Sequence, residues 1–227
     1  MPTLGVLTIG QSPRPDGLAA DVQTIVGPTM RVVERGALDG LTPEEIAGLS
    51  PRDGQYRLIT LLNDGTAVQI SKEAILARLQ EQITRLELED EVVGTLLVCT
   101  GAFPPFHHDR ALIQPQAALY GAVQGLGAQG RIGALLPLPE QCEQGRTKWR
   151  ELGVTDVVLG VANPYGDDPC QRVAAAAGEA RERGASVLFL DCFGYDLAMR
   201  DAARQSFGGP VVLARGLAAP LMAELLC

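Results

Sequence analysis

The sequence predicts an α/β protein built from mostly parallel sheets flanked by helices and arranged in two halves. Three observations carry that expectation. Strand-like and helix-like hydrophobic patterns alternate along almost all of the 227 residues. Hydrophobic residues make up 46% of the chain and aromatics only 4%, so the core is Leu, Val, Ile and Ala, as suits Val/Leu strands under Ala-rich helices. One phrase also occurs twice: Leu96-Leu97-Val98-Cys99-Thr100-Gly101 and Leu188-Phe189-Leu190-Asp191-Cys192-Phe193-Gly194 are each a hydrophobic run ending in a cysteine and a glycine turn. Each delivers a thiol to the carboxyl end of a strand, where open α/β sheets place their ligands. One thiol from each half predicts a pair facing across one cleft.

The elements follow in order. Residues 4–9 read as a buried strand, closed by Gly10-Gln11-Ser12-Pro13-Arg14-Pro15, whose prolines and glycine forbid regular structure. A helix over 17–26 and a strand over 31–34 come next. Thr42-Pro43-Glu44-Glu45 is a helix start, with Thr42 as N-cap, Pro43 at the first helical position and Glu45 three residues after the cap. Strands at 57–62 and 67–70 flank Asn63-Asp64-Gly65-Thr66, and Asp-Gly between two β-prone runs marks a hairpin. Ser71 is expected to cap a long helix to about Glu87, whose Ile75, Leu79, Ile83 and Leu86 recur at helical spacing. A buried strand then covers 92–99.

The second half is more regular. Helices are expected at about 112–125, 140–152, 173–183, 196–206 and 217–226, with strands at 131–136, 157–161, 187–190 and 211–213. Gly184 is a left-handed cap for the alanine-rich third helix. The Pro/Gly-rich passage 101–105 is the best boundary, with a return crossing near Gly208-Gly209-Pro210. One lobe is then 1–105 plus 210–227, and the other is 106–209.

Composition excludes several functions. The formal net charge is -8, with 19 Lys plus Arg against 27 Asp plus Glu, and no basic stripe forms, which disfavours nucleic acid. No stretch approaches the roughly 18–20 apolar residues of a membrane span, and the first residues lack a positive leader region. The five cysteines, Cys99, Cys142, Cys170, Cys192 and Cys227, are odd in number and form no C-x-x-C. That argues against a disulfide framework or a zinc site and for thiols in a reducing cytoplasm. His107-His108 beside Asp109 is a poor metal site, because adjacent side chains point in different directions. A proton-relay or substrate contact there stands beside a solvated loop. Gly125-Leu126-Gly127-Ala128-Gln129-Gly130 matches G-x-G-x-x-G but follows a helix and opens a strand, the reverse of a dinucleotide fingerprint. Cys142, Cys170 and Cys227 read as small hydrophobes.

Leu7-Thr8-Ile9-Gly10, Leu61-Leu62-Asn63-Asp64-Gly65 and Leu190-Asp191-Cys192-Phe193-Gly194 together resemble the AroM family, with spacing that holds along essentially the whole chain. That family is similar, more distantly, to the aspartate/glutamate racemase superfamily, which includes hydantoin racemases, maleate isomerases and arylmalonate decarboxylase. The resemblance implies two pseudo-symmetric lobes with the active site in the cleft between them. It also implies a catalytic cysteine after a strand in each lobe, where Cys99 and Cys192 stand. Racemases of that superfamily usually carry Cys-Asn-Thr and Cys-Thr-His. Here the sequences are Cys99-Thr100-Gly101 and Cys192-Phe193-Gly194, so the second-lobe histidine has no counterpart.

The expected function is cofactor-independent proton transfer at a carbon next to a carboxylate, with Cys99 and Cys192 as the catalytic pair. Backbone N–H groups of Thr100, Gly101, Phe193 and Gly194 are candidates to hold the developing enediolate. Ser12 and Arg14 are candidates for the substrate carboxylate, and Asn63 and Thr66 for further contacts. Two alternatives stand beside it. One is a single-thiol decarboxylase or isomerase in which Cys192 acts and the Cys99 loop holds an anion. The other is a non-catalytic binding or regulatory protein for a small acidic metabolite. The expected partner is a small carboxylate-bearing molecule, with no metal, nucleic acid or membrane, and a homodimer is allowed.

Overall fold

The computed structural model describes residues 1–127 and 130–226. They form two compact units, Met1–Pro115 with Ala218–Cys227, and Gln116–Leu217. The first runs β1 (Thr3–Thr8), α1 (Leu18–Val26), β2 (Arg31–Gly36), α2 (Pro43–Ala47), β3 (Arg57–Leu61), β4 (Ala67–Ser71), α3 (Lys72–Leu88), β5 (Gly94–Leu97) and β6 (Ala111–Ile113). The second runs α4 (Pro115–Gly127), β7 (Arg131–Leu136), a 3-10 turn (Pro139–Gln141), α5 (Cys142–Glu151), β8 (Val157–Val161), α6 (Pro169–Glu182), β9 (Ala185–Leu190), α7 (Leu197–Phe207) and β10 (Val211–Leu213). The last helix, α8 (Ala214–Leu226), begins in the second unit and belongs to the first from Ala218 onward.

Both main sheets are parallel and share one topology. The strand orders are β2-β1-β5-β6 and β8-β7-β9-β10. In each, the first strand has the second on one side and the third on the other, and the fourth lies beyond the third. The two units thus repeat one sheet topology, as the resemblance implies. Strand order reverses between β1 and β5 and again between β7 and β9, so each unit has one switch point where ligands of open α/β sheets bind.

Alternation along the strands divides the core. In β9, Leu188 and Leu190 join the cluster of Val173, Ala177, Met199 and Phe207 from α6 and α7. Phe189 turns the other way, against Tyr120 of α4 and Trp149 of α5, with ring centroids 5.9 and 6.0 Å apart. In the first unit, Leu7 and Leu97 meet Ile75, Leu79, Ile83 and Leu86 of α3. That is the apolar stripe read from the sequence.

Local signals were mostly decisive. Thr42 and Glu45 form the reciprocal capping box. Asn63-Asp64-Gly65-Thr66 turns the β3–β4 hairpin, with Gly65 at φ 88° and the Asp64 carboxylate accepting from Thr66 N–H. Three expectations are corrected. Ser71 makes no cap hydrogen bond, because its hydroxyl donates to Glu73 instead, at 2.7 Å. The helix expected from about 112 begins at Pro115, and Ala111–Ile113 is a strand. Pro115 explains this, since the residue before a proline is kept out of helical geometry. The units also divide later than the passages at 101–105 and 208–210. β6 pairs with β5 and β10 with β9, so both short strands stay with the sheet that precedes them. Among the described residues, no helix is long and apolar enough to cross a membrane. Ala128 and Gln129 of the G-x-G-x-x-G match, and Cys227, lie outside the described residues.

Candidate active site

The two cysteines occupy equivalent places. β5 ends at Leu97 and β9 at Leu190, so each thiol is carried by the second residue past the strand that borders the switch point. Each sulfur accepts a hydrogen bond from the backbone N–H two residues on. Gly101 N lies 3.4 Å from Cys99 Sγ, and Gly194 N lies 3.3 Å from Cys192 Sγ. An N–H aimed at a sulfur stabilises negative charge there. The N–H groups of Gly101 and Gly194, expected as candidates to hold substrate oxygen, point at the sulfurs of their own turns. Thr100 and Phe193 complete the two turns and are buried. The thiols differ in access: Cys99 is 9% exposed and lies within the first unit's core cluster, while Cys192 is half-buried.

Each turn is braced by a cation that donates to a carbonyl. Lys72 Nζ lies 3.0 Å from Ala102 O and 4.4 Å from the Tyr56 ring centre. Arg215, fully buried at the start of α8, donates to Phe193 O from Nε at 3.1 Å and from Nη2 at 2.6 Å. Asp191, just before Cys192, is anchored by Lys148 Nζ at 2.9 Å and by Tyr120 Oη at 3.0 Å. A buried carboxylate needs such partners, because leaving one uncompensated is strongly destabilising.

The loop after β1 lies on the other side of the first switch point. Ser12 donates to Asp39 from Oγ at 2.6 Å and from its backbone N–H at 2.7 Å. Arg14 is buried and faces Asp16 in a two-point pair, Nε to Oδ1 at 3.1 Å and Nη2 to Oδ2 at 2.6 Å. Its Nη1 donates to Thr60 Oγ1 at 3.1 Å and to Thr8 Oγ1 at 3.4 Å. The guanidinium expected to meet a substrate carboxylate thus ties the first loop to Asp16, β1 and β3. Asn63 and Thr66 are exposed on the hairpin turn, where Asn63 N–H donates to Gln11 Oε1 at 3.2 Å. Ser12, Arg14 and Asn63 thus each bond to or from the β1 loop through separate partners, while Thr66 bonds to the turn's own Asp64.

Sequence reading missed several of these groups. Lys148 carries no distinguishing motif in the sequence, because its burial against Asp191 is set by tertiary packing. Tyr165 did leave a signal, as an aromatic in a Pro/Gly loop at a strand's carboxyl end. A Cβ on Gly194 would stand 2.5 Å from Tyr165 Oη, so the phenol reaches the Cys192 turn. Asp39, Thr8 and Thr60 carry no distinguishing motif. His107 lies in an exposed loop and exchanges backbone hydrogen bonds with the Gln80 side chain, while His108 Nδ1 lies 2.8 Å from Arg110 O. Cys142 opens α5 with its thiol pushed up by burial, and Cys170 packs against the second unit's core.

The fold is shared with solved enzymes. The chain is similar to the Picrophilus torridus aspartate racemase, at 12% identity and TM-score 0.59, over 99% of this chain and 94% of that one. It is similar to arylmalonate decarboxylase at 16% identity and TM-score 0.60, over 99% and 92% of the two chains. It is also similar to the maleate isomerase Iso from Pseudomonas putida S16, at 14% identity and TM-score 0.56, over 99% and 93%. No curated protein sequence matches. A family model described as AroM protein matches residues 4–226, and the chain belongs to the AroM family.

Proposed function

We propose that the chain catalyses cofactor-independent proton transfer at the carbon next to the carboxylate of a small acid, with Cys99 and Cys192 as the two bases. One thiolate takes the α-proton and the C–H electrons pass into an enediolate. The opposite thiol returns a proton to the other face, which interconverts two stereoisomers. Each turnover exchanges the protonation of the two sulfurs, so the reverse reaction or exchange with solvent restores the starting state. A thiol with an ordinary pKa near ~8.5 is useful in both forms close to neutrality.

The observation that carries this reading is the equivalence of the thiols: the same offset past the strand at the switch point and the same N–H contact from two residues on. Likeness to an aspartate racemase and a maleate isomerase supports it. The mechanism requires both sulfurs to reach one carbon from opposite sides and to stay reduced, which suits the cytoplasm. It is compatible with a homodimer.

Proton NMR in deuterium oxide tests the class of reaction. Wild-type protein is expected to wash deuterium into the α-position of at least one member of a panel of α-amino and 2-hydroxy acids. Cys99→Ser and Cys192→Ser are each expected to abolish racemisation in both directions. No exchange across the panel would sink the proposal.

A second reading draws on the unequal exposure of the thiols and on the likeness to arylmalonate decarboxylase. There Cys192 alone moves the proton and the Cys99 turn holds an anion. Cys99→Ser would then leave substantial decarboxylase or isomerase activity.

A further inference from the structure

We infer that Tyr165 is a substrate-contacting residue whose phenol donates a hydrogen bond to the carboxylate of a molecule held at the Cys192 thiol. This deepens the proposed proton transfer and rests on it for the chemistry, though not for the binding contact. The stretch 162–168, between β8 and α6, is tied down along its length. Asn163 Oδ1 accepts from Tyr165 N–H at 2.9 Å. Arg172 of α6 spends its guanidinium on loop carbonyls, with Nη2 3.1 Å from Asn163 O and 3.0 Å from Tyr165 O, and Nη1 on Asp167 O. Tyr195 Oη donates to Ala162 O at 2.6 Å. A loop held only for solubility needs no such bracing of its one aromatic residue.

The phenol carried by this braced stretch packs against the Cys192 turn. A Cβ on Gly194 would stand 2.5 Å from Tyr165 Oη and 2.8 Å from Cζ, so residue 194 has room for no side chain. The N–H of that same glycine lies 3.3 Å from Cys192 Sγ. Phenol and thiol therefore flank one residue. Tyr165 and Cys192 are both half-buried. With Gly194 N–H engaged by sulfur, the turn needs another donor for an oxygen attached to the carbon at Cys192. A neutral phenol supplies one, and its bond to a carboxylate is charge-assisted and strengthens as enediolate charge develops.

Iodoacetate and iodoacetamide test this without knowledge of the substrate. With either, a sulfur lone pair forms the S–CH2 bond as the C–I bond breaks and iodide leaves. The reagents differ only in carboxylate against carboxamide. Alkylation of Cys192 is followed by peptide mass spectrometry. Wild-type protein is expected to prefer iodoacetate more than a model thiol peptide does. Tyr165→Phe should lower that preference about tenfold, as loss of one hydrogen bond to a charged group would, with the iodoacetamide rate within about twofold of wild type. Gly194→Ala, which displaces the phenol by crowding, should lower it too. A wild-type protein without the preference, or a Tyr165→Phe variant that keeps it or loses both rates equally, would overturn the inference. Deuterium exchange separates the two readings. A Tyr165-dependent preference without exchange leaves the contact standing and removes the proton transfer, whereas exchange with a Tyr165-independent preference does the opposite.

Discussion

Lys148 and Asp191 form an ion pair sealed inside the second unit, with Nζ 2.9 Å from Oδ2 and the side chains 6% and 0% exposed. Asp191 is the residue before Cys192, so the pair fixes the thiol turn to α5. Lys148→Met would leave the carboxylate buried without its cation, at an expected cost of about 3–5 kcal/mol. Urea unfolding should show the loss as a lower midpoint. Adding Asp191→Asn to Lys148→Met should recover part of it, because a neutral amide needs no cation. A single variant as stable as wild type would show that the pair contributes nothing.

Arg215 does comparable work two residues on, with two nitrogens on Phe193 O. Arg215→Met removes both donors and leaves a buried carbonyl, for an expected loss of roughly 1–3 kcal/mol. The sharper readout is amide hydrogen exchange. Peptides covering 192–195 should exchange faster in the variant while those covering β7 change little. Uniform acceleration across the second unit would mean that Arg215 supports the whole core rather than the turn.

How much of this was legible in the sequence follows from how local each signal is. Hydrophobic alternation, the Thr42 capping box and the Asp64-Gly65 turn are set within a few residues, and they appear in the fold as read. The thiols were also legible, because a strand followed by a cysteine and a glycine is a local pattern. The partners of the site were not. Arg14 reads as a candidate carboxylate ligand in the sequence, and its pairing with Asp16, Thr8 and Thr60 appears only in the fold. Asp191, just past β9, looks like any acid until Lys148 of α5 closes on it. Such pairings depend on which elements the topology brings together, and no single stretch of sequence contains them. β6 was missed for a different reason: three apolar residues have no periodicity, and Pro115 was the only local clue.

Gly10 offers a test of the loop after β1. A Cβ there would lie 2.3 Å from both Leu61 O and Thr60 Oγ1. One of the two is backbone, so the strand or the loop has to move. Gly10→Ala is expected to destabilise by about 1–3 kcal/mol, as overpacking does. It should also weaken the hydrogen bond from Gln11 N to Leu61 O, now 3.3 Å, which holds the loop to the hairpin. Faster proteolysis within 10–16 than in wild type would be the local sign, and unchanged stability would show that the close approach is slack.

Glu34 on β2 should make stability depend on pH. Burial raises its carboxyl above the ordinary value of 4.5, while the hydrogen bond from Arg14 N–H and the Arg14 charge pull it down, and Asp16 and Asp39 add to the rise. Its Oε1 is buried and accepts no hydrogen bond among the described residues. A carboxyl raised on folding holds its proton more tightly in the folded protein than in the unfolded chain. Its contribution to stability therefore falls as pH climbs from about 4.5 through the folded value, and the full penalty is present above that. Half-burial keeps the effect below that of a sealed carboxylate. Glu34→Gln keeps an acceptor for Arg14 and removes the ionisation. The variant should unfold at a higher denaturant midpoint than wild type at pH 7, with the gap closing at pH 4. An advantage that is equal at both pH values would trace to packing rather than charge, and a less stable variant at pH 7 would show that the ionised carboxylate is favoured by Arg14 after all.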